Sequence, residues 1–227
     1  MPSRSSRVRV GVLISGSGSN LRALLDQQAT QADAVGEVVV VGSDRADAGG
    51  LERARAAGIP TIVRPLAPGD DRDAWEARLR ADLATHDVEV VVLAGFMRIL
   101  SEAFLHGWPD AVVNVHPSLL PAFRGAHAVR DALAEGVKLT GATVHLVDEQ
   151  VDHGPIIAQQ AVAVLPDDDE ATLHARIQAV EHELLPRCVE LLCAGRLRIE
   201  GRSVRLLDAD TVASPSPDHP RIDRSES

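Results

Sequence analysis

The sequence predicts a mixed α/β fold: a mostly parallel twisted sheet flanked by helices, with antiparallel additions in the C-terminal half. Three observations lead there. Short, continuously apolar runs alternate with amphipathic stretches through the first half of the 227 residues. Runs such as residues 88–94 lack the apolar–polar alternation of a strand with one wet face, so both faces must be covered. After His116 the rhythm changes to two strand-like runs around a loop, followed by one long helix.

Taken in order, residues 8–15 read as a buried strand and Gly16-Ser17-Gly18-Ser19-Asn20 as a turn. A helix follows from about Asn20, with Leu21, Leu24 and Leu25 at helical spacing. Residues 37–42 form a second strand, and residues 49–57 a second helix ended by Gly58. Residues 61–63 are a short strand, and the helix over 73–85 carries Trp75, Leu79 and Leu83 on one face. Residues 88–94 and 111–113 add further strands. Residues 141–147 and 155–164 pair around a loop at 148–154. A long helix over 170–194 and a small hairpin over 196–206, turning at Gly201, complete the pattern. The N-terminal half is thus Rossmann-like. Residues 1–207 are expected to form a single domain. From Asp208 the chain is rich in Ser, Pro and Asp, too polar to offset its ordering entropy, so 208–227 is expected to be a disordered tail.

Composition excludes several function classes. A net charge of −10 disfavours a nucleic-acid surface, which needs clustered Lys and Arg against phosphates. No apolar run approaches the roughly 20 residues of a membrane span. The apolar stretch at 8–14 is too short for a signal peptide and runs into a glycine loop. Cys188 and Cys193 match neither CxxC nor a zinc-ligand spacing, and no HxxxH or HExxH set occurs, so no metal is expected. Buried, reduced thiols point to a cytoplasmic location. The oligomeric state stays open, a homodimer among the options.

The run Asn114-Val115-His116-Pro117-Ser118-Leu119-Leu120-Pro121 is the most informative stretch. On an extended backbone residues i and i+2 share a face, so an amide and an imidazole point into one site. That pair suits acyl transfer, in which a developing oxyanion needs donors and protons must move. A strand end with a polar cap and a turn is the plainer alternative. Thr143 and His145 share a face by the same spacing. Asp152 follows in a loop; beside His116 its carboxylate would favour the imidazolium and raise its pKa. His153 reads as an exposed side chain.

Gly16, Gly18 and the helix behind them form a candidate phosphate cradle, with free N–H groups and a helix dipole facing an anion. A P-loop is excluded because no Gly-Lys-Ser/Thr follows. The dinucleotide fingerprint fails because Leu21 occupies its third glycine, although Asp44 imitates the ribose-binding acid. A ligand-free Gly/Ser turn remains the alternative. Gln178 and Glu181 are one turn apart on the long helix, where they could reach ribose hydroxyls or form a solvated face.

Four segments in this order resemble the folate-dependent phosphoribosylglycinamide formyltransferases of purine synthesis. They are Ser15-Gly16-Ser17-Gly18-Ser19-Asn20-Leu21, Leu93-Ala94-Gly95-Phe96-Met97-Arg98-Ile99-Leu100, the Asn114 to Pro121 run, and the segment from Asp148 to Pro155. The resemblance spans nearly all of residues 8–206. It implies formyl transfer from 10-formyltetrahydrofolate, the co-substrate, to the amine of glycinamide ribonucleotide, both small molecules. By that resemblance Asn114, His116 and Asp152 are the catalytic trio, with Thr143 and His145 in support. Gly18, Ser19, Asn20, Gln178 and Glu181 would hold the nucleotide. Arg72, Met97, Arg98, Ile99, Leu100, Asn114, Asp148, Glu149, Gln150, Val151 and Asp152 would contact the folate. Leu120-Pro121 is similar to the family's cis peptide. Arg124 departs from a common proline and Thr143 from a common serine.

Sibling formyl chemistries are the first alternatives. Methionyl-tRNA formyltransferases carry a further C-terminal domain and bind an anionic polymer, which the negative charge disfavours. Formyltetrahydrofolate hydrolases carry an N-terminal regulatory domain, whereas this chain is expected to begin at its first strand. A dinucleotide-binding module built on Gly16, Gly18 and Asp44 is the alternative from another class.

Overall fold

The computed structural model describes residues 7–207. In chain order the elements are β1 (Val8–Ile14), α1 (Ser19–Thr30), β2 (Gly36–Ser43), α2 (Gly49–Ala56) and β3 (Thr61–Val63). They continue with α3 (Arg72–Thr85), β4 (Val90–Leu93), α4 (Glu102–Leu105), β5 (Val112–His116) and α5 (Ala128–Ala134). The last are β6 (Leu139–Leu146), β7 (Ile156–Ala163), α6 (Glu170–Cys193), β8 (Leu197–Glu200) and β9 (Ser203–Leu206).

Side-chain alternation explains why the first strands are apolar throughout. Val10, Val12 and Ile14 of β1 pack with Leu21 and Leu24 of α1 and with Leu185 and Val189 of α6. Leu13 points the other way, onto Trp75, Leu79 and Leu83 of α3. β4 repeats the division, with Val90 and Val92 in one cluster and Val91 and Leu93 in the other. Both faces are dry, and burial of these side chains is the main favourable term in folding.

Among the described residues nine strands form one sheet, ordered β3-β2-β1-β4-β5-β6-β7-β9-β8. β1 pairs in parallel with β2 and β4, and β4 with β5. β6 then runs antiparallel to β5, and β7 antiparallel to β6. The mostly parallel sheet with antiparallel additions is therefore the observed architecture. Strand order reverses between β1 and β4, and ligand crevices of open α/β sheets form outside the carboxyl ends of strands at such a switch point.

Local rules set several boundaries. α3 starts at Arg72 because the Asp71 side chain caps it, accepting from the Ala74 N–H at 3.0 Å. α6 opens with a capping box between Asp169 and Thr172 and ends before Gly195, whose φ is 64°. α4 and α5, of 4 and 7 residues, were not legible as helices because neither is long enough to show periodicity. The terminal hairpin β8–β9 joins the sheet through a parallel rung between Ile156 and Ser203. The tail expected over 208–227 lies outside the described residues.

Candidate active site

The antiparallel register of β5 and β6 sets Asn114 opposite His145 and His116 opposite Thr143. Directly opposed residues share a face, so four polar side chains gather at the end of β5. His145 Nδ1 lies 2.8 Å from the Leu146 carbonyl oxygen, which can only accept. That nitrogen therefore carries a proton, and Nε2 lies 3.1 Å from Asn114 Nδ2.

Asp152 enters from the loop between β6 and β7, with φ at 49°. Its Oδ2 lies 3.3 Å from His116 Nδ1 and accepts from the Gly125 N–H at 2.8 Å. Its Oδ1 accepts from Asn114 Nδ2 at 3.4 Å and stands 3.7 Å from His145 Nε2. Three separated stretches thus converge on one carboxylate. Burial pushes the Asp152 carboxyl up, but hydrogen bonding to His145 and the Gly125 N–H, with the charge of His116, outweighs it and its pKa is lowered.

His116 corrects an expectation. Burial is the largest influence on it and depresses its pKa, overriding the opposing pull of the Asp152 charge and the hydrogen bond to the Phe123 carbonyl. Desolvating an imidazolium at a site only 5% exposed costs more than one carboxylate returns. Its Nε2 lies 2.7 Å from the Phe123 carbonyl oxygen. Both ring nitrogens therefore face acceptors, an arrangement that only the protonated ring satisfies fully.

Thr143 does not bond His116. Its hydroxyl donates to the Ser118 carbonyl at 2.7 Å and accepts from the Leu120 N–H at 3.1 Å and Gln159 Nε2 at 2.9 Å. Gln159 also donates to the Leu120 carbonyl at 2.8 Å. The Leu120-Pro121 bond is cis. Thr143 and Gln159 together clamp the loop that supplies Phe123 and Gly125. Gln159, the Phe123 carbonyl and the Gly125 N–H were missed, because backbone groups and a lone strand glutamine leave no trace in a pattern. Arg124 is exposed beside them, and Gly125 reaches Asp152 despite that departure from the common proline.

Beyond the end of β1, Gly18 sits at the N-terminus of α1 with φ at 72°. A Cβ there would stand 2.6 Å from the Gly50 Cα, so both φ and close backbone approach require glycine. Buried Asn20 donates through Nδ2 to Glu181 Oε2 at 2.9 Å, while its Oδ1 is buried without a partner. Burial drives the Glu181 carboxyl up to about 6, against the Asn20 hydrogen bond. Gln178 lies half-buried one turn before Glu181, and Ser19 opens α1.

Asp44 is explained without a ribose. It is buried; Oδ1 accepts from the Ser15 hydroxyl at 2.6 Å and Oδ2 from Arg98 Nε at 2.6 Å. Arg98, expected at the folate, thus has its side chain directed into this pair and onto the Leu66 carbonyl. Leu100 is likewise buried, packing among Phe96, Phe104 and Trp108. Met97, Ile99 and Val151, by contrast, are 68%, 58% and 44% exposed, unusual for apolar side chains. Arg72 donates to the Ile99 carbonyl and pairs with Glu76 at 3.5 Å, tying α3 to that segment. In the 148–152 loop, Asp148 Oδ1 accepts from the Gln150 N–H at 3.0 Å, and Glu149 is exposed. His153 is not the free surface side chain expected: its Nδ1 lies 2.7 Å from Asp148 Oδ2. Among the described residues no group of three or more His, Cys, Asp or Glu could hold a metal ion, and no helix is long and apolar enough to cross a membrane.

Residues 8–189 match the model of the formyl transferase family. The chain is 48% identical over 202 residues to phosphoribosylglycinamide formyltransferase of Mycobacterium tuberculosis (strain ATCC 25618 / H37Rv), covering 89% of this chain and 93% of that one. It is 49% identical over 193 residues to the trifunctional purine biosynthetic protein adenosine-3 of Drosophila pseudoobscura pseudoobscura, covering 85% of this chain and 14% of that longer one. The crystal structure of glycinamide ribonucleotide transformylase 1 from Symbiobacterium toebii aligns with a TM-score of 0.87 at 48% identity, over 92% of this chain and 98% of that one. The chain belongs to the formyl transferase family and is a group-transferring enzyme. Within that family it groups with the phosphoribosylglycinamide formyltransferases.

Proposed function

We propose that this enzyme transfers a formyl group from 10-formyltetrahydrofolate to the primary amine of glycinamide ribonucleotide, in de novo purine biosynthesis. The observation that supports this most is the convergence of Asn114, His116 and Asp152, with the carboxylate 3.3 Å from His116 Nδ1 and 3.4 Å from Asn114 Nδ2. An amide donor, an imidazole and a carboxylate in one crevice suit attack on a carbonyl carbon.

The neutral amine attacks the formyl carbon directly, with no covalent enzyme intermediate. Asn114 and His116 stabilise the oxyanion, each well-placed donor contributing about 3 kcal/mol. His116 Nε2 must first share or release the Phe123 carbonyl it faces at 2.7 Å. Asp152 orients the imidazole, favours its protonated form against burial, and assists proton transfer to the departing folate nitrogen. Binding both substrates together supplies proximity, on the order of several kcal/mol more. Gly18, Ser19 and Asn20 hold the 5′-phosphate at the N-terminus of α1, and Glu181 with Gln178 contacts the nucleotide. The exposed apolar Met97, Ile99 and Val151, with Arg72 and the backbone of 97–100 and 148–152, form the folate wall. A cytoplasmic location fits the free, buried Cys188 and Cys193.

The deciding experiment is a formyl-transfer assay with purified protein, offering glycinamide ribonucleotide or water as acceptor. Formylated nucleotide is the expected product. Release of formate alone would assign the chain to hydrolysis instead.

A further inference from the structure

The loop that carries Asp152 has an electrostatic problem. Asp148, Glu149 and Asp152 lie within five consecutive residues, and their mutual repulsion opposes a compact turn. The last hairpin answers it. The rung between Ile156 and Ser203 aligns β9 with the start of β7, which sets Arg202 beside the end of this loop. Arg202 Nη1 lies 2.9 Å from both Nδ1 and Nε2 of His153. A guanidinium nitrogen only donates, so the ring nitrogen it bonds must accept. His153 Nδ1 in turn lies 2.7 Å from Asp148 Oδ2, and Asp148 Oδ1 accepts from the Gln150 N–H.

The chemistry of the chain is self-consistent. Asp148 only accepts, so Nδ1 of His153 carries a proton. That leaves Nε2 to accept from Arg202 Nη1 at 2.9 Å.

We propose that His153 and Arg202 are positioning residues for formyl transfer: the Arg202–His153–Asp148 chain fixes the loop that presents Asp152 to His116. This rests on the site assigned above, and extends it to the C-terminal hairpin. Neither side chain touches the reacting atoms. Both act through the three residues separating Asp148 from Asp152.

The test compares Arg202→Ala, His153→Ala, the double variant and Arg202→Lys, each in the full chain. Arg202→Ala and His153→Ala should each lower kcat about tenfold and raise the KM for 10-formyltetrahydrofolate, leaving the KM for glycinamide ribonucleotide unchanged. Displacements of about 1 Å from remote substitutions reach 10²-fold, so the effect is readable. The double variant should be no worse than either single one, because the residues form one chain. Arg202→Lys, keeping a cationic donor to the ring nitrogen, should recover most of the loss. Amide exchange across 148–154 should accelerate in both alanine variants. Unaltered kinetics and exchange, or a lowered melting temperature with unaltered kinetics, would overturn the proposal. If the wild-type chain transfers no formyl group, the assigned reaction fails, while unchanged exchange would still reject the brace by itself.

Discussion

Arg98 Nε donates to Asp44 Oδ2 at 2.6 Å, while the Ser15 hydroxyl holds the other oxygen of the same carboxylate. This pair pins the end of β1, the turn after β2 and the segment after β4 together at the switch point. The Met97 N–H donates to the Ser15 hydroxyl at 2.9 Å, extending the network into the segment proposed to contact folate. Asp44→Ala would leave a guanidinium that is 35% exposed without its partner. Removing one member of a buried pair costs about 3–5 kcal/mol; partial solvation of Arg98 lowers the expectation to about 2–3 kcal/mol. Chemical denaturation measures it, and an unchanged midpoint would show the network to be dispensable. Titration with NAD should give no binding to either protein.

Asn114→Ala and Asp152→Asn address the chemistry. Asn114→Ala removes a donor to the oxyanion and should lower kcat about 10²- to 10³-fold. Asp152→Asn removes the charge beside His116 and should do at least as much, while thermal unfolding still reports a folded protein. Near-normal turnover in both variants would reject the site.

The proposed phosphate cradle makes its own prediction. A substrate lacking the 5′-phosphate loses charge-assisted hydrogen bonds worth about 1.5–3 kcal/mol, so its affinity should fall by roughly 10- to 100-fold. Calorimetry with the dephosphorylated compound checks this. Gly18→Ala should lower nucleotide affinity too, since the new Cβ would meet Gly50 at 2.6 Å. Equal affinities would remove the role assigned to Gly18, Ser19 and Asn20.

Glu181 couples the same region to pH. Its carboxyl is raised from the ordinary 4.5 to about 6, so between these values the folded chain keeps a proton that the unfolded chain releases. Stability attributable to this group therefore falls as pH rises through that window and levels off above it. Glu181→Gln should flatten that slope and stabilise the free protein at pH 7, by about 2 kcal/mol at most. Unfolding curves at pH 5 and pH 7.5 measure the difference. A steeper slope in the variant would contradict the burial of an ionisable carboxyl there.

Short-range geometry made much of the site legible before any packing was considered. The i, i+2 spacing of Asn114 and His116, and of Thr143 and His145, forces each pair onto one face whatever surrounds it. Unbroken apolar runs at β1, β2 and β4 likewise demanded a sheet covered twice, because alternation has nothing wet to face. Quantities that depend on what lies across a gap were decided by tertiary structure alone. The antiparallel register brought His145 to Asn114, and burial reversed the expected pKa shift of His116. Asp44 met Arg98 and Ser15 instead of a ribose, and a hairpin some fifty residues away supplied Arg202 as a partner for His153. Periodicity records which way a side chain points; desolvation and pairing depend on neighbours distant in the chain, and those exist only once the sheet is assembled.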